Sequence, residues 1–321
     1  MRKIATFSRL FAATVVTAIS GTVTADTDQS TGVLTQLASQ LATGTESTAA
    51  LDQVANLEAN KLVNKKLDDV ENQLKDNTNL VYLDLKIASD SLGIDGSSSE
   101  IMFEGLGVYR LHETETAFVF NQSSINRFDG RTTLNTGIGV RTIRKENLLL
   151  GSNLFYDHEL DSDHSRWGLG FELLTETASL TTNLYRALSD TRTVDGINEM
   201  ALDGHDFRFS YRPPVKYHPK LFATESRFED NKSYKTEMRD WGVELPLGGH
   251  FLFSISSQKQ DEKGSQTVSS LTYSLPLWRG AAPSSIATQN LQLRDLLYRP
   301  VERENRIMKK KLNLGVTISG F

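Results

Sequence analysis

Cysteine is absent from the chain, which removes disulfides and thiolate metal sites without excluding an oxidising compartment. Long apolar runs are also missing. Beyond the first 25 residues nothing approaches the roughly 20 apolar residues of a membrane-crossing helix. A surplus of positive charge is lacking too: the formal net charge is −5, which argues against a general nucleic-acid binder. Neither a GxSxG elbow nor a phosphate-cradling glycine loop stands in proper context, so no enzyme activity and no cofactor is expected. Asp157, His158, His164 and Ser165 form the one group with a catalytic look. Two histidines without a reliable third ligand make a weak metal site, and the group reads as a polar break between strands.

What is present is alternation. With 321 residues and 38% hydrophobic content, the chain can bury a core. Between Thr132 and Leu174, three short segments repeat with period 2, the signature of strands. Ile138 and Val140 oppose Asn135, Gly137, Gly139 and Arg141. Leu154 and Tyr156 oppose Asn153, Phe155 and Asp157, while Trp167, Phe171 and Leu173 oppose Arg166, Gly168, Gly170 and Glu172. A soluble sandwich would need apolar residues where these charges and glycines stand. A membrane β-barrel wall needs the reverse, apolar outside and polar within.

The amino terminus carries Arg2, Lys3 and Arg9 before an apolar run, then Val23-Thr24-Ala25. This is an export signal with cleavage expected after Ala25. A charged helix is expected over 51–76, with Leu51, Val54, Leu57, Leu62, Leu67, Val70 and Leu74 on one stripe. Period 2 begins at Asn79 and yields twelve candidate strands, the last ending at Leu277. Further inward faces follow, with Asp206, Arg208, Ser210 and Arg212 opposite Phe207, Phe209 and Tyr211. Tyr156, Trp167, Tyr211 and Trp241 fall toward segment ends, where interfacial girdles form. Alternation is less clean at Phe251-Leu252-Phe253, and the longest polar break is 192–204. After Leu277 the chain becomes charged and proline-broken, and its final NLGVTISGF loses phase at Ser319-Gly320, so it makes a poor closing strand. The expected fold is all-β: a transmembrane antiparallel barrel of about twelve strands, with a short N-terminal helical region in the periplasm.

Three segments carry a resemblance to the intimin/invasin family, the inverse autotransporters. They are LNTGIGVR (134–141), LLGSNLFYDHELDSDHSRWGLGFE (149–172) and LQLRDLLYRPVERENRI (291–307), the last holding Val301, Arg303, Asn305 and Ile307 in a V-x-R-x-N-x-I pattern. The resemblance covers roughly 80–310. It implies a twelve-stranded barrel whose lumen is threaded by a linker leading to surface adhesion domains. It also implies that Arg141, Asn153, Asp157, Arg166 and Glu172 face inward and, with Arg208, can touch that linker. The chain is accordingly divided into a signal (1–25), a periplasmic helical region (26–78), the outer-membrane barrel (79–277), a lumen linker (278–311) and a short tail (312–321). The tail is too short for a passenger domain, and the short helical region stands where some relatives carry a peptidoglycan-binding module. Implied partners are outer-membrane lipid and lipopolysaccharide, periplasmic chaperones and the barrel assembly machinery, and a host-cell or surface protein. The alternative function is a porin-like channel for small solutes.

Overall fold

The computed structural model describes residues 79–89, 101–128, 130–215, 218–230, 234–248, 251–261, 264–274, 277–278, 293–312 and 317–319. All belong to one compact unit, Asn79–Phe321. The export signal, the helix over 51–76 and residues 279–292 lie outside the described residues.

The first seven strands are β1 (Leu80–Ser89), β2 (Ile101–Glu113), β3 (Ala117–Phe128), β4 (Arg131–Lys145), β5 (Leu148–Glu159), β6 (Ser165–Leu174) and β7 (Ala178–Ala187). Two short strands follow, β8 (Arg192–Val194) and β9 (Ile197–Ala201). The wall then resumes with β10 (Asp203–Tyr211), β11 (Lys220–Glu229), β12 (Lys235–Gly248), β13 (Phe251–Gln260) and β14 (Gly264–Ser274). After β15 (Leu277–Trp278), a 3-10 helix η1 (Leu293–Tyr298) precedes β16 (Lys309–Lys311) and β17 (Thr317–Ser319).

The twelve long strands, β1–β7 and β10–β14, pair antiparallel with their neighbours, and β14 pairs with β1 to close the barrel. Closure is required, since an open edge in hydrocarbon leaves backbone groups unsatisfied at several kcal/mol each. The two-residue β15 extends the closing seam along Tyr82 and Leu83. The expected strand number is therefore met. β17 does not close the wall; it pairs with β16 in a separate four-stranded sheet of order β17-β16-β9-β8. The segment 192–204, expected as a plain loop, contains the β8–β9 hairpin of that sheet. Its strands are too short for a period-2 signal to emerge.

The burial pattern is inverted relative to a soluble protein. Ile138, Leu154, Phe171, Phe207 and Trp241 are exposed, whereas Arg141, Asp157, Arg166 and Asn183 are buried. Lipid is the only solvent in which that exposure is favourable, and the polar face turns to the lumen. Tyr156 and Trp167 are direct cross-strand partners on the outside. Trp241 sits mid-strand rather than near an end, because β12 begins six residues earlier, at Lys235. The disturbed phase at Phe251 faces a register shift between Pro246 and Gly248, where a bulge places Leu247 outward.

The two rims differ. Among the described residues, one carries the short turns 114–116, 146–147 and 175–177, and the other carries the 160–164 turn and the long connection 188–202. Replacing Leu154 by Arg at the centre of β5's outer face is expected to cost about 2–4 kcal/mol in phospholipid vesicles. Urea titration of the refolded barrel checks this; a cost below that of Leu154→Ala would show that the residue does not face lipid.

Candidate functional site

The candidate site is the lumen, together with the segment 293–312 that passes through it. η1 lies near the short-turn rim, where Leu293, Leu296 and Leu297 pack in a buried cluster with Tyr82, Val108, Phe118 and Phe120. Tyr298 meets Phe118 edge-on at 5.1 Å and donates its hydroxyl to Glu113. Arg294 also reaches Glu113, at 3.2 Å. Pro300 disfavours helical backbone at Arg299, so η1 stops and the chain continues extended.

Arg141 terminates η1. Its Nη1 donates to the carbonyls of Leu297 (2.8 Å), Leu296 (3.3 Å) and Arg299. Those carbonyls have no helical partners, and the end of a helix is the favourable place for a cation. The rest of the guanidinium is held by Glu172 through two bonds of 2.9 Å. Such fork-to-fork pairing fixes direction as well as charge. Gly139 makes room here: a Cβ at that position would overlap the Phe120 ring, which lies under the Arg141 guanidinium at 4.8 Å.

At mid-lumen, Asp157 joins wall to linker. Arg303 binds it in bidentate fashion at 2.8 and 2.6 Å, Arg166 donates from Nε at 2.7 Å, and Asn135 donates at 2.7 Å. Arg303 stacks over Phe155 at 4.3 Å, and Arg166 over Tyr185 at 4.2 Å. Gly168 faces the Arg303 guanidinium so closely that an added Cβ would stand 3.2 Å from Nη2. Around this triad the linker backbone is satisfied by wall side chains. Val301 N donates to Gln122, Asn183 to Glu302 O, Glu304 N to Tyr185, Arg166 to Glu304 O and Asn135 to Asn305 O. Lys220 reaches Glu302 at 3.1 Å, and Asn305 reaches Glu104 at 3.1 Å.

Near the long-loop rim, Lys309 is buried against both oxygens of Glu159 at 2.6 Å. Burial pulls the Lys309 ammonium below its ordinary value, with Glu159 acting in the opposite direction. His164, in the 160–164 turn, bonds Ser189 through Nδ1 at 2.8 Å. Burial, then the nearby Lys309, pulls its imidazole down to about 4, with Arg192 and Arg131 acting the same way and Glu159 opposing them.

The structure thus brings Arg141, Asp157, Arg166 and Glu172 into contact with the linker or with one another, and Arg303 and Asn305 with the wall. Val301 contributes its backbone N–H, while its side chain and that of Ile307 are buried. Asn153 is buried beside Gly170, with its Nδ2 unpartnered, and Arg208 leaves Nε unpartnered. Asp157, His158 and Ser165 lie within strands, so the polar break proper holds only His164 of that group. Among the described residues no group of three or more His, Asp or Glu side chains could hold a metal ion. Sequence reasoning missed Gln122, Asn183, Tyr185, Glu159 and Lys220 as linker partners. Glu159 had a signal, standing two residues beyond Asp157 on the same face.

The family described as inverse autotransporter, beta-domain, matches residues 31–305. The putative attaching and effacing protein homolog of Escherichia coli (strain K12) is 32% identical over 104 residues, covering 32% of this chain and 35% of that protein. Intimin of Escherichia coli O127:H6 is 29% identical over 141 residues, 43% of this chain and 14% of intimin. Invasin of Yersinia enterocolitica is 32% identical over 108 residues, 32% of this chain and 13% of invasin. The matched region therefore spans about a third or less of these relatives' lengths. A solved structure from work on in-meso crystallization of membrane proteins shares the fold, with a TM-score of 0.62 at 18% identity, covering 72% of this chain and 100% of that one.

Asp157→Asn leaves two buried guanidiniums without their counter-charge and is expected to cost about 3–5 kcal/mol. The temperature at which the folded electrophoretic form is lost reads this out; an unchanged temperature would remove Asp157 from its central place. A second outcome concerns pH. The folded His164 resists protonation, so the unfolded chain takes up more protons as pH falls from its ordinary 6.5 towards 4. Stability is expected to be full above 6.5 and to decline across that window, and His164→Gln to flatten the decline. A melting-temperature profile identical in both proteins would contradict it.

Proposed function

The chain belongs to the inverse autotransporter β-domain family, and on that premise we propose that it threads its own linker through the barrel to the cell surface in the service of adhesion. It is an outer-membrane β-barrel. Its family is one of surface proteins related to adhesins and invasins rather than enzymes. The observation that carries the reading is the unbroken run of contacts from Arg294 at one rim to Lys309 near the other. Outer-membrane barrels keep short turns in the periplasm and long loops outside. With that orientation the linker enters from the periplasm beside η1 and leaves under the β8–β9 hairpin. Arg141, Asp157, Arg166 and Glu172 serve as wall anchors, and Val301, Arg303, Asn305 and Ile307 as the linker segment they hold.

A porin-like pore is not favoured, because η1 and the extended segment fill space that a solute would need. The remaining partners follow from this proposal. Periplasmic chaperones and the barrel assembly machinery would deliver the chain, lipopolysaccharide would surround its outer half, and a host-cell or surface protein would meet what emerges.

An epitope placed after Phe321 is expected to be labelled on intact cells. Labelling only after the outer membrane is permeabilised would overturn the threading. Removal of 278–321 is expected to raise conductance in planar bilayers at least several-fold, and an unchanged conductance would count against an occupied lumen.

A further inference from the structure

The small sheet at the long-loop rim joins two parts of the chain more than a hundred residues apart, and neither the barrel wall nor lumen threading requires it. β8 and β9 are linked through Asp195 and Gly196, both at positive φ (52° and 78°), the backbone of a two-residue hairpin turn. Thr193 adds a cross-strand bond of 2.7 Å to Asn198. The hairpin is thus encoded locally, but two strands alone are marginal in water. β16 supplies the third: Lys309, Lys310 and Lys311 pair with Ala201, Met200 and Glu199. The ladder continues at both ends, from Leu202 N to Met308 O (2.9 Å) and from Leu312 N to Asn198 O (2.8 Å).

The two inner strands of this sheet, β9 and β16, are tied to the barrel separately. Glu199 of β9, fully buried, accepts two bonds from Arg131 at the start of β4, at 2.8 and 2.9 Å. Lys309 of β16 is tied to Glu159 at the end of β5, and Arg131 also reaches Glu159 at 3.2 Å. Lys310 reaches Asp230 at 3.1 Å and lies over Tyr234 at 4.7 Å. Beneath the joint, Met308 packs with Leu202, Tyr185, Phe228 and Tyr234 in a second buried cluster. These contacts are cooperative in a plain sense. The hairpin lacks a third strand until β16 arrives, and among the described residues β16 finds its strand partners in β9 on one edge and the returning β17 on the other.

We propose that the β8–β9 hairpin is a surface clasp: it captures the emerging chain at Lys309–Lys311 as an added strand and holds the linker in its final register against slipping back. The proposal rests on the threading reading above. Its chemistry is strand addition, in which main-chain bonds supply the hold and the two buried lysine and glutamate anchors set the register.

Three consecutive lysines give the clasp its own reporter, since trypsin cleaves after lysine only where the backbone is free. Intact cells carrying the protein with an epitope after Phe321 are treated with trypsin, and cleavage at 309–311 is followed by mass spectrometry. Replacement of 192–201 by a Gly-Ser segment of equal length is expected to speed cleavage at least about tenfold while the heat-modifiable barrel persists. Glu199→Gln, a milder change, is expected to speed it about two- to threefold. Equal rates in all three proteins, with the epitope at the surface, would overturn the clasp and leave threading intact. An epitope and lysines that trypsin reaches only after permeabilisation would instead overturn the threading itself.

Discussion

Asp157 makes the wall and the linker one electrostatic object. A lone carboxylate sealed from water would cost several kcal/mol, and so would either of its arginine partners. Arg166 comes from the neighbouring wall strand and Arg303 from the linker, so each element supplies part of the compensation that the others need. The triad still carries one surplus positive charge. The faces of Tyr185 and Phe155 under the two guanidiniums absorb part of it, at about 0.5–2 kcal/mol per contact. The carbonyl of Glu304 accepts a further hydrogen bond from Arg166 Nη2. Removing Asp157 leaves both guanidiniums stranded, and removing Arg303 cuts the charged tie between linker and wall, which is why the occupied lumen behaves as a single packed core rather than a tube with a loose plug.

The same logic explains the glycines. A lumen that holds Arg141, Arg166 and Arg303, several aromatic rings and an extended chain has no volume to spare, and every inward position cannot carry a large side chain. Gly139 yields to Phe120, and Gly168 to Arg303 and Tyr185. On the outer face the alternating positions carry Ile138, Trp167 and Phe171, where bulk is matched to lipid. The alternation of glycine with apolar residues is therefore the record of two solvents, a crowded polar one and an unconfined apolar one.

This is also what made the wall legible in the sequence. Period 2, inward charge and strand length are local quantities, and together they located the twelve strands. The triad was half legible: Asp157 and Arg166 stand in one hairpin with the right parity, whereas their meeting with Arg303 depends on a contact spanning 146 residues. Gln122, Asn183 and Tyr185 gave no signal, since an inward polar residue with a linker partner looks like any other inward polar residue. The β8–β9 hairpin was hidden for a different reason. Its strands hold three and five residues, too few for periodicity, although Asp195-Gly196 is the kind of pair that turns a tight hairpin.

The linker itself is recognised mostly through its main chain. Between η1 and β16 the backbone is extended and has no ladder of its own, so its N–H and C=O groups must find other partners or remain at a cost. Gln122, Asn135, Asn183, Tyr185 and Arg166 provide them from four strands of the wall. Contacts of this kind do not read sequence. They would satisfy any extended segment in the same position, which suits a lumen that, on the proposed threading, a chain slides through. Register then has to come from a few side chains, and these are spaced along the path: Glu302 to Lys220, Arg303 to Asp157, Asn305 to Glu104, Lys309 to Glu159. A wall that is indifferent to sequence over most of its length, with specific locks at four points, permits sliding until the locks coincide and resists it afterwards.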